Sequence, residues 1–269
     1  MLTFKIKFFT LFLAAAGLLT VACREAQEVT FPVGSGNVEL TFAPTFDGEQ
    51  LRLGEAYRSP QDESLSFNRF EYIISNIRLT ESGGNIYTVP ESYYFMGQRS
   101  AADAMRERIV LTDVPAGDYT AITFSVGVDP ETNSSTDDFL KGELEIGVGM
   151  DWSWNTGYKF INWEGNYLNK NLEEEAPFVL HVGTNENYQP LTLAFNTPLV
   201  VSETLTADAY IELQAEEVFE VVRLNDLGLN YTDFSGVMLT PEEKASDIAD
   251  QWTEMFEVVQ QNAPSGDPR

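Results

Sequence analysis

The chain has 269 residues, and its 42 acidic and 16 basic side chains give a formal net charge of −26 at pH 7. Nucleic acid and anionic membrane surfaces are excluded as partners by this charge, because both require a basic face. Hydrophobic residues make up 43% of the sequence, enough to build one sizeable core without disulfide bonds. All-β domains of this length are commonly single units.

The first residues have the form of a bacterial export signal. Lys5 and Lys7 precede an apolar run over 8–22 that is short for a membrane-spanning helix. Cys23, the only cysteine, follows Thr-Val-Ala, which resembles a lipobox. We predict a signal peptide over 1–22, a lipid anchor at Cys23 and a polar tether over 23–36, which place the protein in the cell envelope at the outer membrane. A buried thiol is the alternative.

A single domain over 37–262 is predicted to be an antiparallel β-sandwich. Apolar and polar residues alternate with a period of two in several segments, separated by turn residues such as Gly83-Gly84 and Pro115-Ala-Gly-Asp. The segments predicted as strands are Val38–Phe42, Phe70–Ile74, Ile77–Leu79, Ile122–Val126, Leu191–Asn196, Ala209–Leu213 and Val218–Val222.

One amphipathic helix is predicted near the C-terminus. Thr240-Pro241-Glu-Glu243 has the form of a capping box with proline at the first helical position. Apolar residues follow at spacings of three and four, so they share one face that packs on the sandwich. The residues on this face are Ala245, Ile248, Ala249, Trp252, Met255, Phe256 and Val259. Residues 263–269 are predicted to be a disordered tail.

The loop from Asp129 to Asp138 places oxygen-bearing side chains at spacings that begin like a calcium loop. The pattern then departs from one, because Ser134 stands where glycine is needed and Leu140 stands where glutamate is needed. A solvated turn and a weak Ca²⁺ site are the two interpretations.

The segment over 150–165 contains three of the four tryptophans: Trp152, Trp154 and Trp163. Tyr158 lies among them, and the only histidine, His181, follows in Phe-Val-Leu-His-Val-Gly. The clustering of aromatic residues near one imidazole indicates either a packed aromatic cluster or a ligand site. No sequence motif of a hydrolase or phosphate-binding enzyme is present, so an enzyme is not expected.

The block W-x-W-x-x-G-Y-K-F over 152–160, followed by FVLHVG and preceded by FEYIISNIRL and VPAGDYTAITFSVGVD, resembles the MbnP-like copper-binding family. That resemblance implies a secreted β-sandwich and a copper ion held by histidines and by a tryptophan oxidised to kynurenine. A dihaem cytochrome c peroxidase-like enzyme is the implied oxidant. The resemblance assigns the metal site to His181 and Trp152. A thioether from Met150 or Met255 is a possible further ligand, because soft sulfur suits Cu(I).

The chain departs from the family pattern in one respect. The best-known members use two histidines, whereas this chain has one. In those members a histidine lies two residues from the modified tryptophan, and in this chain the corresponding residue is Trp154. A second interpretation is therefore kept: a metal-free carbohydrate-binding or adhesion module. In that module Trp152, Trp154 and Trp163, with Tyr158 beside them, would form an aromatic site that stacks on sugar rings.

Overall fold

The computed structural model describes residues 31–135, 143–144, 149–152, 157–170, 173–226 and 242–261, without the side chains of 242–244 and 260–261. These described residues form one compact unit. The predicted signal peptide, Cys23, Trp154, Asp138 and Thr240 lie outside the described residues. No helix in the described part of the chain is long and apolar enough to cross a membrane.

Most of the regular secondary structure in the described residues is strand, which confirms the predicted all-β class. The strands are β1 Ser35–Phe46, β2 Glu49–Gln50, β3 Ala56–Arg58, β4 Ser64–Glu81, β5 Ile86–Thr88, β6 Tyr93–Gln98, β7 Arg108–Pro115, β8 Gly117–Val126, β9 Lys159–Asn169, β10 Glu174–Gly183, β11 Gln189–Val201, β12 Ala207–Gln214 and β13 Phe256–Gln261. The helices are α1 Pro130–Asn133, α2 Val218–Val221, α3 Glu242–Asp250 and α4 Trp252–Met255, with 3₁₀ turns at Asn185–Asn187 and Ala215–Glu217.

Two sheets pack face to face. The first has the order β13-β12-β1-β2, with β7 also paired to β1, and the second has the order β10-β9-β4-β8-β11, with β3, β5 and β6 on β4. Aromatic side chains pack between the sheets. The ring centroids of Phe42 in β1 and Phe124 in β8 are 5.1 Å apart. Phe256 of β13 also contacts Phe124, at 5.2 Å. Edge-to-face contacts of this kind add to the free energy gained from apolar burial.

The pairing of β1 differs from a purely antiparallel sandwich. Strands β1 and β12 run parallel, with Val38 opposite Ala207 and Thr45 opposite Gln214. Parallel neighbours need a long connection between them, and most of the second sheet lies between β1 and β12 along the chain. Local sequence patterns carry no information on such a pairing, because the partners are more than 160 residues apart.

One segment predicted as a strand is helical. Val218–Val221 forms α2, with Val218, Phe219 and Val222 buried and Glu220 exposed. Positions one, two and five of this segment share a face on a helical turn, and Phe219 packs against Phe46 and Phe67 of the core. The prediction of a strand here was wrong because a short apolar run fits both periods.

The C-terminal helix is confirmed but ends earlier than expected. After α4 the chain becomes β13, which pairs antiparallel with β12. Phe256 is buried in the core from this strand, whereas Val259 is 50% exposed rather than on a buried helical face. Pairing with β12 provides backbone hydrogen bonds along an otherwise open sheet edge, and this tertiary gain overrides the helical periodicity.

Candidate functional site

The site lies on the polar face of three neighbouring strands. In the β10–β9–β4 part of the second sheet, His181 is opposite Asn162, which is opposite Glu71. The next row of the same face has Glu164 opposite Arg69. Adjacent residues on these strands point the other way, into the core, as strand geometry requires. The register of three strands therefore assembles one polar patch, hereafter the polar row, around His181, Asn162, Glu71, Glu164 and Arg69.

His181 is largely buried, with a side chain only 9% exposed. Its Nε2 lies 3.2 Å from Glu164 Oε1. Burial lowers the pKa of His181 below its ordinary value of 6.5, and the positive charges of Lys159 and Arg69 add to this against the opposing effect of Glu164. The imidazole is therefore neutral at neutral pH, so its contact with Glu164 is not a full ion pair.

Asn162 is fully buried between these groups. Its amide fits its neighbours with the nitrogen 3.0 Å from Glu164 Oε1 and 2.6 Å from His181 Nε2, and with the oxygen 3.1 Å from Arg69 Nε. Nε2 thus faces both a carboxylate acceptor and an amide donor, and the tautomer of the neutral ring decides which of them it bonds. Asn162 links the imidazole to the charged groups of the row.

The charges beside His181 are balanced. Arg69 pairs with Glu71 and lies 3.7 Å from Glu164, and Arg99 Nε lies 3.2 Å from Glu71 Oε1. The pKa of Glu164 is lowered by its hydrogen bond with His181 and by the positive charges of Arg69 and Lys159, although burial opposes the shift. Buried charges that are paired in this way avoid the large cost of an isolated charge.

A loop folds back over the polar row and carries Trp152. Its two sides are joined by backbone hydrogen bonds, from Lys159 N to Met150 O at 2.6 Å and from Trp152 N to Gly157 O at 3.0 Å. The Gly149 carbonyl accepts a hydrogen bond from Lys159 Nζ at 3.0 Å. Gly157 has a φ of +97°, a conformation that favours glycine. These contacts fix the loop against the sheet.

The loop places Trp152 against His181. Their ring centroids are 6.1 Å apart in an edge-to-face arrangement, and the Trp152 side chain is 8% exposed. Lys159 Nζ lies 5.7 Å from the centroid of the indole. Gly183 makes room for the ring, because a Cβ atom at that position would lie 2.9 Å from it. The sequence therefore brings one indole, one neutral imidazole and one ammonium group together.

The family follows from comparison with known proteins. The model of the MbnP family matches residues 35–238. The chain belongs to the MbnP family. MbnP from Methylosinus trichosporium, a solved structure, has the same fold, with a TM-score of 0.50, 17% sequence identity, and coverage of 72% of this chain and 80% of that chain. No curated protein matches the chain.

The two metal ligands implied by the MbnP resemblance, Trp152 and His181, lie together. Met150, suggested as a thioether ligand, is buried and belongs to the hydrophobic core cluster. The part of the chain that the structure describes contains no group of three or more His, Cys, Asp or Glu side chains able to hold a metal ion.

The described residues of the aromatic site suggested for a carbohydrate ligand are buried. Trp163 is fully buried and stacks on Phe70 at 4.3 Å, so it packs the core and has no face for a sugar. Tyr158 is also buried. Every tryptophan that the structure describes is at most 8% exposed, whereas stacking on a sugar needs an open ring.

The loop that begins at Asp129 is built as a helix cap. The Asp129 carboxylate accepts hydrogen bonds from Thr132 N at 3.1 Å and from Asn76 Nδ2 at 3.1 Å, and it also bonds the hydroxyl of Tyr93. Asn133 Oδ1 accepts from Tyr158 N at 2.9 Å. These oxygens serve protein donors, which favours the interpretation of a structural turn over a Ca²⁺ site.

Sequence reasoning missed the polar row itself. Asn162, Glu164, Glu71 and Arg69 lie on strands that are otherwise rich in buried apolar residues. One signal in the sequence would have indicated these residues. Polar side chains recur at alternate positions of strands that are otherwise apolar, and buried polar side chains need partners.

Proposed function

We propose that this MbnP family protein binds copper in the cell envelope, at the contact between Trp152 and His181. The observation that carries this proposal is the 6.1 Å separation of the two rings. They belong to different segments of the chain, and His181 is the only histidine in the sequence. Packing alone does not require the one imidazole of the chain to meet the tryptophan that the family resemblance marks as the oxidisable one.

The chemistry of these residues fits copper. A lowered pKa keeps the His181 imidazole neutral, and neutral imidazole is a good copper ligand. The carboxylate of Glu164 beside Nε2 is the kind of partner that orients a ligating histidine. Arg69 and Lys159 lie nearby, so the site does not accumulate negative charge. We therefore expect selectivity for copper to come from the type of ligand atom rather than from electrostatic attraction.

Oxidation of Trp152 to kynurenine would supply the remaining donors. Opening of the indole ring and loss of one carbon as formate leave a carbonyl and an aromatic amine, which are oxygen and nitrogen donors beside the imidazole. Bound copper would add a redox-active ion to the envelope. We propose a dihaem peroxidase-like enzyme as the oxidant, as the family resemblance implies. The acidic chain would attract a basic surface on such a partner, and salt would weaken that attraction.

We propose that the protein is anchored through a lipid on Cys23 and faces either the periplasm or the cell surface. One lysine-flanked apolar segment followed by the only cysteine supports this. Replacement of Cys23 by Ser is expected to move the protein from the membrane fraction into the soluble fraction. Recovery of the Cys23→Ser variant with membranes, together with a native mass that contains no acyl chains, would contradict the anchor.

The test of copper binding uses protein purified from its native host, since recombinant protein made without the oxidant would lack modified tryptophan. Metal analysis is expected to find one copper per chain, and intact-mass and peptide mapping should find the replacement of one carbon by one oxygen at Trp152. The variant His181→Gln is expected to lose tight copper binding and keep its melting temperature within a few degrees.

The matched control for that variant is Asp208→Asn in the first sheet. Burial and the charge of Glu39 raise the pKa of Asp208, so this acidic pair is a plausible place for adventitious cations. We expect the control to bind copper as the wild type does. Equal copper affinity in the wild type and in His181→Gln would exclude His181 from the site. Unmodified Trp152 in native protein would exclude its oxidation.

A further inference from the structure

Lys159 is the charged group placed closest to the indole of Trp152 among the contacts described above. Its Nζ lies 5.7 Å from the ring centroid, within the range in which a cation interacts with an aromatic face. The hydrogen bond from Nζ to Gly149 O at 3.0 Å and that from the Lys159 backbone to Met150 O at 2.6 Å hold the side chain at this position. Its distance from the ring is therefore set by the fold rather than by a mobile side chain.

A positive charge over an aromatic ring favours the neutral ring over an oxidised one. The ring quadrupole attracts the ammonium group, whereas the same group repels the radical cation that forms when the indole loses an electron. Half-burial of Lys159 strengthens this effect, because water screens it less than at an open surface. Burial and the charge of Arg69 lower the pKa of Lys159, and the carboxylates of Asp151, Glu164 and Glu71 oppose this shift.

We infer that Lys159 protects Trp152 from weak oxidants and so determines which oxidants convert it. The inference rests on the proposed function in one respect, since oxidation of Trp152 is what it would control. The positive charge of Lys159 raises the potential at which this indole loses an electron. An oxidant must therefore be stronger than one that oxidises free indole. Trp152 would thus be left intact by mild envelope oxidants and converted by a strong one-electron oxidant.

The test measures a defined two-electron oxidation on copper-free protein. One azide radical removes an electron from the indole and becomes an azide anion, and the indole nitrogen releases its proton to solvent. A second azide radical removes the second electron, water supplies the oxygen added to the ring, and a further proton is released, so charge and atoms balance. Azide radical is uncharged, and removal of a lysine therefore does not change its long-range attraction to the protein. The yield of oxidised Trp152 per dose is determined by digestion and tandem mass spectrometry in a Trp154→Phe background. Fragment ions separate Trp152 from Trp163, which shares its tryptic peptide once Lys159 is replaced by an uncharged residue.

The variants separate charge from packing. Lys159→Met removes the charge and keeps a flexible chain of similar length, whereas Lys159→Arg keeps the charge. We expect the yield of oxidised Trp152 to rise about threefold or more in Lys159→Met and to stay at the wild-type value in Lys159→Arg, given typical cation–π strengths at part-buried sites. Lys170→Met, which removes a half-exposed lysine at the far end of β9, should match the wild type. If Lys159→Met does not fold, Lys159→Gln takes its place.

Two results would overturn the inference. An unchanged yield in Lys159→Met would mean that the charge does not influence the indole. An equal rise in Lys159→Met and Lys159→Arg would mean that the lysine only covers the ring, and acrylamide quenching of tryptophan fluorescence would then show greater access in both variants. The measurement involves neither copper nor His181. A negative result for Lys159 therefore does not contradict the proposed copper site, and a negative result for copper binding does not contradict the role of Lys159.

Discussion

The two faces of strand β9 differ in kind although alternate residues of one short segment build them. On one face Trp163 is fully buried and stacks on Phe70, with Tyr167 four residues further along the strand. On the other face Asn162 and Glu164 meet His181 across the strand pair. The apolar face is held by area removed from water, and the polar face is held by hydrogen bonds and paired charges.

Residue type alone therefore does not identify which aromatic residue of the 150–165 segment belongs to the site. Trp152 and Trp163 are both buried, but Trp152 lies in the loop over the polar face and touches His181, whereas Trp163 touches phenylalanines. Strand alternation and loop closure decide which of them has chemical partners. The following variants test this separation of structural and chemical roles.

The largest effect is expected for Trp163→Ala. Removal of a fully buried indole leaves a cavity that the surrounding strands cannot close, and such changes cost about 3–5 kcal/mol. Urea denaturation should find this loss in the free energy of unfolding. A loss below about 1 kcal/mol, the size of a typical single substitution, would mean that the apolar face does not depend on Trp163.

A smaller loss is expected for Asn162→Ala. Without the amide, Arg69 and Glu164 lose a buried partner, and an unsatisfied buried group costs about 1–3 kcal/mol. The matched control is Asn166→Ala on the same strand, where the side chain is only half-buried; a change within about 0.5 kcal/mol is expected there. Equal destabilisation of the two variants in urea titrations would show that the polar row is not a specific network.

Trp152→Phe is expected to change stability less, by about 1 kcal/mol, because a smaller aromatic ring still covers the sheet at the edge of the loop. The variant should nevertheless lose the oxidation product and the copper that depends on it. Thermal unfolding and metal analysis on the same preparation measure both. A variant that keeps copper at wild-type affinity would remove Trp152 from the proposed site and return it to packing.

The smallest expected effect concerns pH and a polar cluster away from β9. Burial alone would raise the pKa of Asp129, but hydrogen bonds from Tyr93, Thr132 and Asn76 lower it below the ordinary 3.8. A carboxylate with a lowered folded-state pKa stabilises the fold above its unfolded value, and this contribution is lost as pH falls through the folded-state pKa.

Asp129→Asn removes that titration. Melting temperatures recorded from pH 7 to pH 2 should therefore differ between wild type and variant at neutral pH and converge at the acidic end. Curves that stay parallel over the whole range would contradict the assignment of a lowered pKa to Asp129.

The sequence by itself determined the fold class, the family resemblance and most strands, since alternation over Val38–Phe42 or Ile122–Val126 is a local consequence of burying one sheet face. It also singled out Trp152 and His181. Only the tertiary structure decided that Trp163 faces the core, that Val218–Val221 is helical and that Phe256–Gln261 joins a sheet. Register between strands distant in sequence assembles Asn162, Glu164, Glu71 and Arg69, and no local period encodes such a register.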